Sequence, residues 1–154
     1  MEIPESMRAD LAAWNGGSGI DLKSWIGCSG KFSLAVGYAT VFWPEFTLFD
    51  GYILPMGFSE TALRGFESRG DSRKAVEWVM NHLHLDSVQH LGCEDLSKDK
   101  LIALGQVLEQ IYMAKLAWQF PDRTCIVEFH RPIDEDDLSD YQISFWQAAH
   151  ERLT

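Results

Sequence analysis

The spacing of apolar residues changes once along the chain. Up to about residue 120, apolar side chains recur every three or four residues, which is typical of helices with one buried face. After Pro121 they alternate with polar side chains, which is typical of strands. The pattern predicts an α+β fold: a single domain over residues 1–154 that is mainly helical in its N-terminal two-thirds and packs on a small antiparallel sheet with a C-terminal β-hairpin.

Capping residues and glycines mark the shorter predicted helices. A first helix is predicted over residues 4–15, because proline suits a first helical turn and the Gly16-Gly17 pair provides a left-handed stop. Three further N-caps are predicted: Asp21 for a short turn ending at Gly27, Ser59 for a helix to about residue 68, and Asp71 for a helix over about 72–83. In the last of these, the apolar residues form one stripe along the helix.

The clearest predicted element is a long helix from Ser97 to about Gln119. Gly105 is its single weak position, at a cost of about 1 kcal/mol relative to alanine. Because the apolar residues fall on one face, we expect this helix to form a central part of the core. The residues of that face are Leu101, Leu104, Leu108, Ile111 and Tyr112, followed by Lys115.

Two segments fit more than one structure. Residues 31–43 are apolar on all sides and follow neither the helical nor the strand period, and their length favours a buried helix that ends before Pro44. Residues 46–54 have strand composition. Since Asp50-Gly51 accepts the positive φ angles of a type I′ turn, a tight hairpin is one interpretation, and a single strand with a bulge at Gly51 is the other.

The alternating residues after Pro121 form two runs separated by an acidic loop, which predicts an antiparallel hairpin. Trp146 falls on the outward side of this hairpin, and Trp78 lies off the stripe of its helix. We expect one of these two tryptophans to be accessible or to contact a second layer. The predicted inward face consists of Cys125, Val127, Phe129, Tyr141, Ile143 and Phe145.

Composition and charge limit the classes of function. The 154 residues include 13 Lys and Arg against 23 Asp and Glu, with a net charge of −10, so the clustered cations that bind nucleic acid are not expected. Three distant cysteines favour a reducing compartment. The acidic N-terminus does not resemble a signal peptide, and the apolar stretch 34–43 is about half of the roughly 20 residues that span a bilayer. We expect a cytoplasmic protein that binds neither nucleic acid nor membrane.

Sequence signatures of catalysis are weak. The chain has no G-x-S-x-G elbow, no G-x-x-x-x-G-K-[ST] loop and no strand-anchored G-x-G-x-x-G. Cys125 alternates with apolar residues and is expected to be a buried hydrophobe, whereas Cys28 and Cys93 adjoin glycines in predicted loops and are the more reactive thiols. We therefore predict no catalytic residue and no cofactor.

The densest cluster of potential metal ligands contains His82, His84, His90 and Cys93. Imidazole and thiolate are good zinc ligands. Histidines two residues apart on a helix point about 200° apart, so this pair converges only if the helix ends before it. One interpretation is a metal site that serves a small hydrolase. The other is a helix C-terminus, where histidines interact favourably with the dipole.

The acidic loop carries the most informative charge pattern. It lacks the spacing and the glycine of an EF-hand. One interpretation is a solvated loop that keeps the sheet edge soluble. The other is an electrostatic docking surface for a basic protein, with Tyr141 and Trp146 as aromatic anchors. Its five carboxylates belong to Asp134, Glu135, Asp136, Asp137 and Asp140, and no base lies among them.

In overall character the chain resembles bacterial immunity proteins, which bind and neutralise a secreted toxin. It is small, acidic, rich in tryptophan and without a catalytic motif. The resemblance covers this profile and transfers no site residue. It implies a non-enzymatic protein that docks a basic partner such as a toxin domain. The alternatives are the metal-dependent hydrolase and a structural subunit of a larger assembly, with the oligomeric state left open.

Overall fold

The helices and strands confirm the α+β fold class. A computed structural model describes residues 1–89 and 93–152 of the chain. Short 3₁₀ turns cover Leu85–Val88, Leu138–Asp140 and Ala148–Arg152. The α-helices and β-strands are α1 (Glu5–Gly17), α2 (Leu22–Ser29), α3 (Phe32–Phe42), β1 (Phe46–Phe49), β2 (Tyr52–Pro55), α4 (Glu60–Ser68), α5 (Arg73–Met80), β3 (Leu83–His84), α6 (Lys98–Gln119), β4 (Cys125–His130) and β5 (Gln142–Gln147).

Most predicted helix ends are confirmed, and the exceptions have local causes. Asp21 and Ser59 cap α2 and α4 by accepting from backbone N–H groups in the first turn. The cap of α5 is Ser72, because its side chain accepts from the backbone N–H of Ala75, so the prediction of Asp71 is wrong. That helix ends at Met80 and not near residue 83, since residues 83–84 pair with β5.

The first hairpin forms as one of the two predicted alternatives. β1 pairs antiparallel with β2, and Phe49 lies opposite Tyr52 across a two-residue turn. Asp50 and Gly51 adopt φ angles of 50° and 83°, as a type I′ turn requires. The alternative of a single bulged strand is therefore wrong.

The C-terminal hairpin is part of a three-stranded antiparallel sheet in which β5 lies between β3 and β4. Val127 lies opposite Phe145 and Phe129 opposite Ile143, so these residues share one face of the sheet as predicted. Every residue of β5 is buried, since α6 covers one face of the strand and α5 covers the other. The pairing strand β3 was not predicted, because it is only two residues long.

Two clusters of buried apolar residues meet at β2. Successive side chains of a strand point to opposite faces, so Ile53 joins the larger cluster while Tyr52 and Leu54 join the smaller one with α4 and α5. The larger cluster contains Phe46, Ile53, Leu85, Leu101, Leu108, Tyr112, Leu116, Tyr141, Ile143 and Phe145.

Gly105 is required by the packing of α6 on the sheet. A Cβ atom at this position would lie 2.2 Å from the ring of Phe129. The absence of a side chain therefore lets the helix approach β4 closely, which offsets the lower helix propensity of glycine.

A buried carboxylate joins α5 to β2, β5 and the C-terminal turn. Glu77 is 0% exposed. Its Oε1 accepts from the Ile53 backbone N–H at 2.9 Å and from Gln147 Nε2 at 2.6 Å. Its Oε2 accepts from the Gln147 backbone N–H at 2.8 Å and from His150 Nδ1 at 2.7 Å. Four donors thus compensate for the cost of burying the charge.

Asn81 reinforces the same junction from the end of α5. Its side-chain amide donates to the carbonyl oxygens of Ile53 at 2.9 Å and of Phe145 at 3.0 Å. Because these oxygens belong to β2 and β5, the two sheets are held together through one buried amide.

The prediction that residues 31–43 form a buried helix is half correct. α3 is a helix and ends before Pro44, but its side chains are largely exposed, with Phe32 at 93% and Val36 at 71% exposure. Among the residues that the structure describes, no helix combines the length and the hydropathy needed to cross a bilayer.

We expect Gly105→Ala to lower the free energy of unfolding by about 1–3 kcal/mol, because the new methyl group collides with Phe129. The control is Gly65→Ala in α4, where nothing lies within 4 Å of the added Cβ. That substitution should stabilise the protein by up to about 1 kcal/mol. Urea unfolding monitored by circular dichroism measures both, and equal effects would contradict the close packing.

We expect Glu77→Gln to lower the free energy of unfolding by about 2–4 kcal/mol. One carboxylate oxygen is replaced by an amide NH₂, which is a donor and faces the N–H groups whose hydrogen bonds that oxygen accepted. The side chains have the same size, so no cavity forms. Glu45→Gln at an exposed position is the matched control and should change stability by less than about 0.5 kcal/mol. A loss no larger than the control's would show that the network is dispensable.

Candidate protein-binding surface

The acidic loop between β4 and β5 is held partly by its own carboxylates. Asp134 Oδ1 accepts from the Asp136 backbone N–H at 3.2 Å. Asp137 Oδ1 accepts from the backbone N–H of Ser139 at 3.2 Å and from its hydroxyl at 2.6 Å. These two aspartates therefore shape the turn as well as adding charge.

Lys98 at the start of α6 contacts the outer part of the loop. Its Nζ lies 3.3 Å from Asp136 and 3.5 Å from Glu135, and the hydrogen bond to Asp136 raises the pKa of the lysine. The ammonium partly neutralises the two carboxylates, whose side chains are 88% and 59% exposed. Exposed ion pairs contribute little to stability, so these carboxylates remain available to a partner.

Asp140 faces the sheet and not the tip of the loop. Its Oδ1 accepts from Gln142 Nε2 at 2.5 Å, and its Oδ2 lies 3.5 Å from His130 Nε2. The exposed acidic surface therefore consists of four consecutive residues, Asp134 to Asp137, which we call the acidic tip.

The two predicted aromatic anchors lie beneath the surface. Tyr141 is 0% exposed, and its hydroxyl donates to the Glu135 carbonyl at 2.9 Å from inside the loop. Trp146 is buried under α5, with Lys74 Nζ 4.4 Å from its ring centroid. Burial removes both rings from the solvent-facing surface. The burial of Tyr141 agrees with its predicted inward face. Trp146 lies on the outward side, and α5 is the second layer that covers it.

The histidine cluster is brought together only in part. α5 ends at Met80, so the rings of His82 and His84 lie side by side with centroids 5.0 Å apart. Each Nδ1 contacts a carbonyl oxygen, from Val79 and Ser139 respectively. Cys93 is exposed, and His90 lies outside the described residues. Within the described ranges, no group of three or more His, Cys, Asp or Glu is placed to hold a metal ion.

A polar cleft of about 630 Å³ lies beside the start of β4. Arg123 Nη1 donates to Gln147 Oε1 at 2.8 Å across it. The lining includes one carboxylate, one guanidinium and one hydroxyl, from Asp122, Arg123 and Thr124, but neither histidine nor cysteine.

Burial governs the chemistry of Cys125. Desolvation, assisted by the negative charge of Glu77, raises the pKa of this thiol to about 12. At neutral pH it is therefore protonated and a poor nucleophile. Cys28 and Cys93 are exposed. Cys93 lies in a loop as predicted, but the prediction of a loop at Cys28 is wrong, because α2 continues past Gly27 to Ser29 and includes it.

Sequence analysis missed a second surface, which is apolar. α2 and α3 are joined by Gly30 and Lys31 and together line an open groove of about 690 Å³, and we call this pair of helices the α2–α3 hairpin. At the base of α3, Trp43 packs against Trp118 of α6 with ring centroids 6.0 Å apart, and Lys115 Nζ lies 4.6 Å from the Trp118 ring. The apolar sequence of α3 was the available signal, but it was interpreted as a buried position.

Comparison with protein-family models, curated proteins and solved structures finds no match for this chain. The two surfaces of the chain with distinct chemistry are the acidic tip and the apolar α2–α3 hairpin.

We expect Cys28 and Cys93 to react rapidly in the native protein and Cys125 to react slowly until the protein unfolds, because its thiol is half-buried and protonated. Counting thiols with a chromogenic disulfide at about pH 8, before and after denaturant, measures this. In Cys125→Ala the native reaction should be unchanged. Rapid native labelling of all three thiols would contradict the assigned burial.

Proposed function

We propose that this protein is a non-enzymatic binding protein whose acidic tip docks a basic protein partner. The observation that carries the proposal is the run of four exposed carboxylates, from Asp134 to Asp137, with Lys98 as the cation that contacts it. The net charge of −10 extends this negative field beyond the loop. Such a field accelerates association with a cationic surface and selects against acidic ones.

The identity of the partner class follows from charge. Nucleic acid and anionic membranes carry the same sign of charge as this protein, so neither matches the acidic tip. A basic protein domain matches it, and enzymes that act on polyanions are commonly basic at their substrate site. We propose a toxin of this kind as the partner and inhibition as the role, which makes the protein an immunity protein of the cytoplasm.

The fold supports docking through a preformed surface. Asp134 and Asp137 fix the turn, and the hydroxyl of Tyr141 holds the loop from within. A loop ordered before binding loses less conformational entropy in the complex. The buried Tyr141 therefore contributes to binding by positioning the loop.

The second candidate is a small metal-dependent hydrolase. It is favoured by one observation, the adjacency of the His82 and His84 rings. Each ring keeps its Nε2 on the side away from the carbonyl that contacts Nδ1. Metal analysis of the purified protein distinguishes this candidate from the binding protein.

We expect the double variant Glu135→Gln/Asp136→Asn to slow association with the basic partner about 3- to 10-fold at low ionic strength, because two exposed charges of the acidic tip are removed. The salt dependence of the association rate should become shallower, and dissociation should change little. The partner is first captured from the native cytosol, and the rates are measured by surface plasmon resonance. Asp134 and Asp137 are left intact because they shape the loop.

The matched control is Glu2→Gln/Glu5→Gln, which removes the same net charge from the N-terminal region. An equal effect in both variants would assign the attraction to net charge alone. Unchanged rates in the loop variant would reject the acidic tip as the docking site.

A further inference from the structure

The outer side of α3 carries an unpartnered apolar stripe. Phe32 and Val36 are four residues apart, so they share one helix face, and they are 93% and 71% exposed. Trp43 and Trp118 extend the stripe at the base of α3. These four residues are the α3 stripe.

The groove between α2 and α3 lies beside this stripe and is also apolar. Its walls include Ile26, Leu34, Tyr38 and Phe42. Ile26 and Leu34 are themselves about half exposed, at 60% and 48%. A projecting aromatic ring and a groove of about 690 Å³ therefore occur on the same hairpin.

The charges of this hairpin differ from those of the rest of the protein. Residues 22–43 contain two cations, Lys23 and Lys31, and no acidic residue. A basic partner that is drawn to the acidic tip finds no carboxylate here. The hairpin instead requires a partner surface that is apolar and nearly uncharged.

We propose that the hairpin docks a second copy of this chain around a two-fold axis, with Phe32 of each copy inserted in the α2–α3 groove of the other. The hairpin provides both the projecting ring and the groove that receives it, so the surface is self-complementary. Self-complementarity is what a two-fold interface requires, because the contact made by one copy is repeated by the other.

The exposed area is sufficient for a stable dimer. The α3 stripe together with Ile26 and Leu34 offers on the order of 700 Å² of apolar surface per copy, estimated from their exposed fractions and typical side-chain areas. A standard interface buries about 800 Å² per partner, whereas the largest apolar patch of a typical monomer is about 300–600 Å². The acidic tip belongs to a different segment of the chain, so this inference is independent of the proposed function.

The first experiment measures the mass of the full chain by sedimentation equilibrium over concentrations from nanomolar to high micromolar. We expect twice the 17.5-kDa chain mass at micromolar concentration. Phe32→Glu should raise the dimer dissociation constant at least about 100-fold, because it places a charge in each of the two grooves. Met56→Glu is the matched control, since Met56 is also exposed, lies outside the hairpin and receives the same charge. It should leave the mass unchanged.

The second experiment tests insertion of the ring in the groove by complementation. Ala35→Trp fills the groove but leaves Phe32 in place, whereas Phe32→Glu leaves the groove open. Each variant alone should be monomeric. Mixed together they should form a heterodimer with one intact contact, which is detected by labelling the two variants with a donor and an acceptor fluorophore.

Three outcomes would overturn the proposal. The first is a monomer at all concentrations. The second is a dimer that Phe32→Glu weakens no more than Met56→Glu does, or that the mixture of variants fails to restore. The third is a monomer that cosediments with vesicles of phosphatidylcholine and phosphatidylglycerol through the same hairpin, which would assign the face to a lipid surface.

Discussion

The buried carboxylate of Glu77 is the interaction on which the arrangement of the two sheets depends. It accepts hydrogen bonds from β2, from β5 and from the turn that follows β5, so three separate parts of the chain are fixed relative to α5. A carboxylate that is buried away from water is tolerated only when its oxygens accept hydrogen bonds from protein donors. The network therefore specifies one mutual orientation of the two sheets, which apolar contacts alone would specify less precisely.

That framework presents two surfaces of opposite chemistry. The acidic tip lies in the loop between β4, an outer strand of the larger sheet, and β5, its central strand. The α2–α3 hairpin contains no acidic residue, and the base of α3 packs against α6. A carboxylate-rich surface acts on charged groups at long range, whereas an apolar surface acts only on contact. If both proposals hold, the two interfaces differ in chemistry and do not compete by charge.

The sequence predicted local structure better than it predicted exposure. Asp21 and Ser59 were identified as caps, and the Asp50-Gly51 turn was one of two alternatives, because capping and turn formation depend on neighbouring residues. Gly105 was recognised only as a weak helix position, since its contact with Phe129 joins residues that are distant in sequence. The exposure of α3 was missed for the same reason, and contact of Trp146 with a second layer was one of two outcomes that the alternation left open. Alternation and hydropathy describe a segment, whereas the packing of α5 on β5 is a tertiary property.

The attachment of α3 has a consequence for its dynamics. Tyr112 donates a hydrogen bond to the Val41 carbonyl at 3.1 Å, and Lys115 lies between the rings of Trp43 and Trp118, so the contacts concentrate at one end of the helix. The other end, at Phe32, projects into solvent. We expect a helix anchored in this way to open separately from the sheet, and its amide protons to exchange with solvent faster than those of β5. On that expectation, the folding of the α2–α3 hairpin is coupled to the contact that covers it.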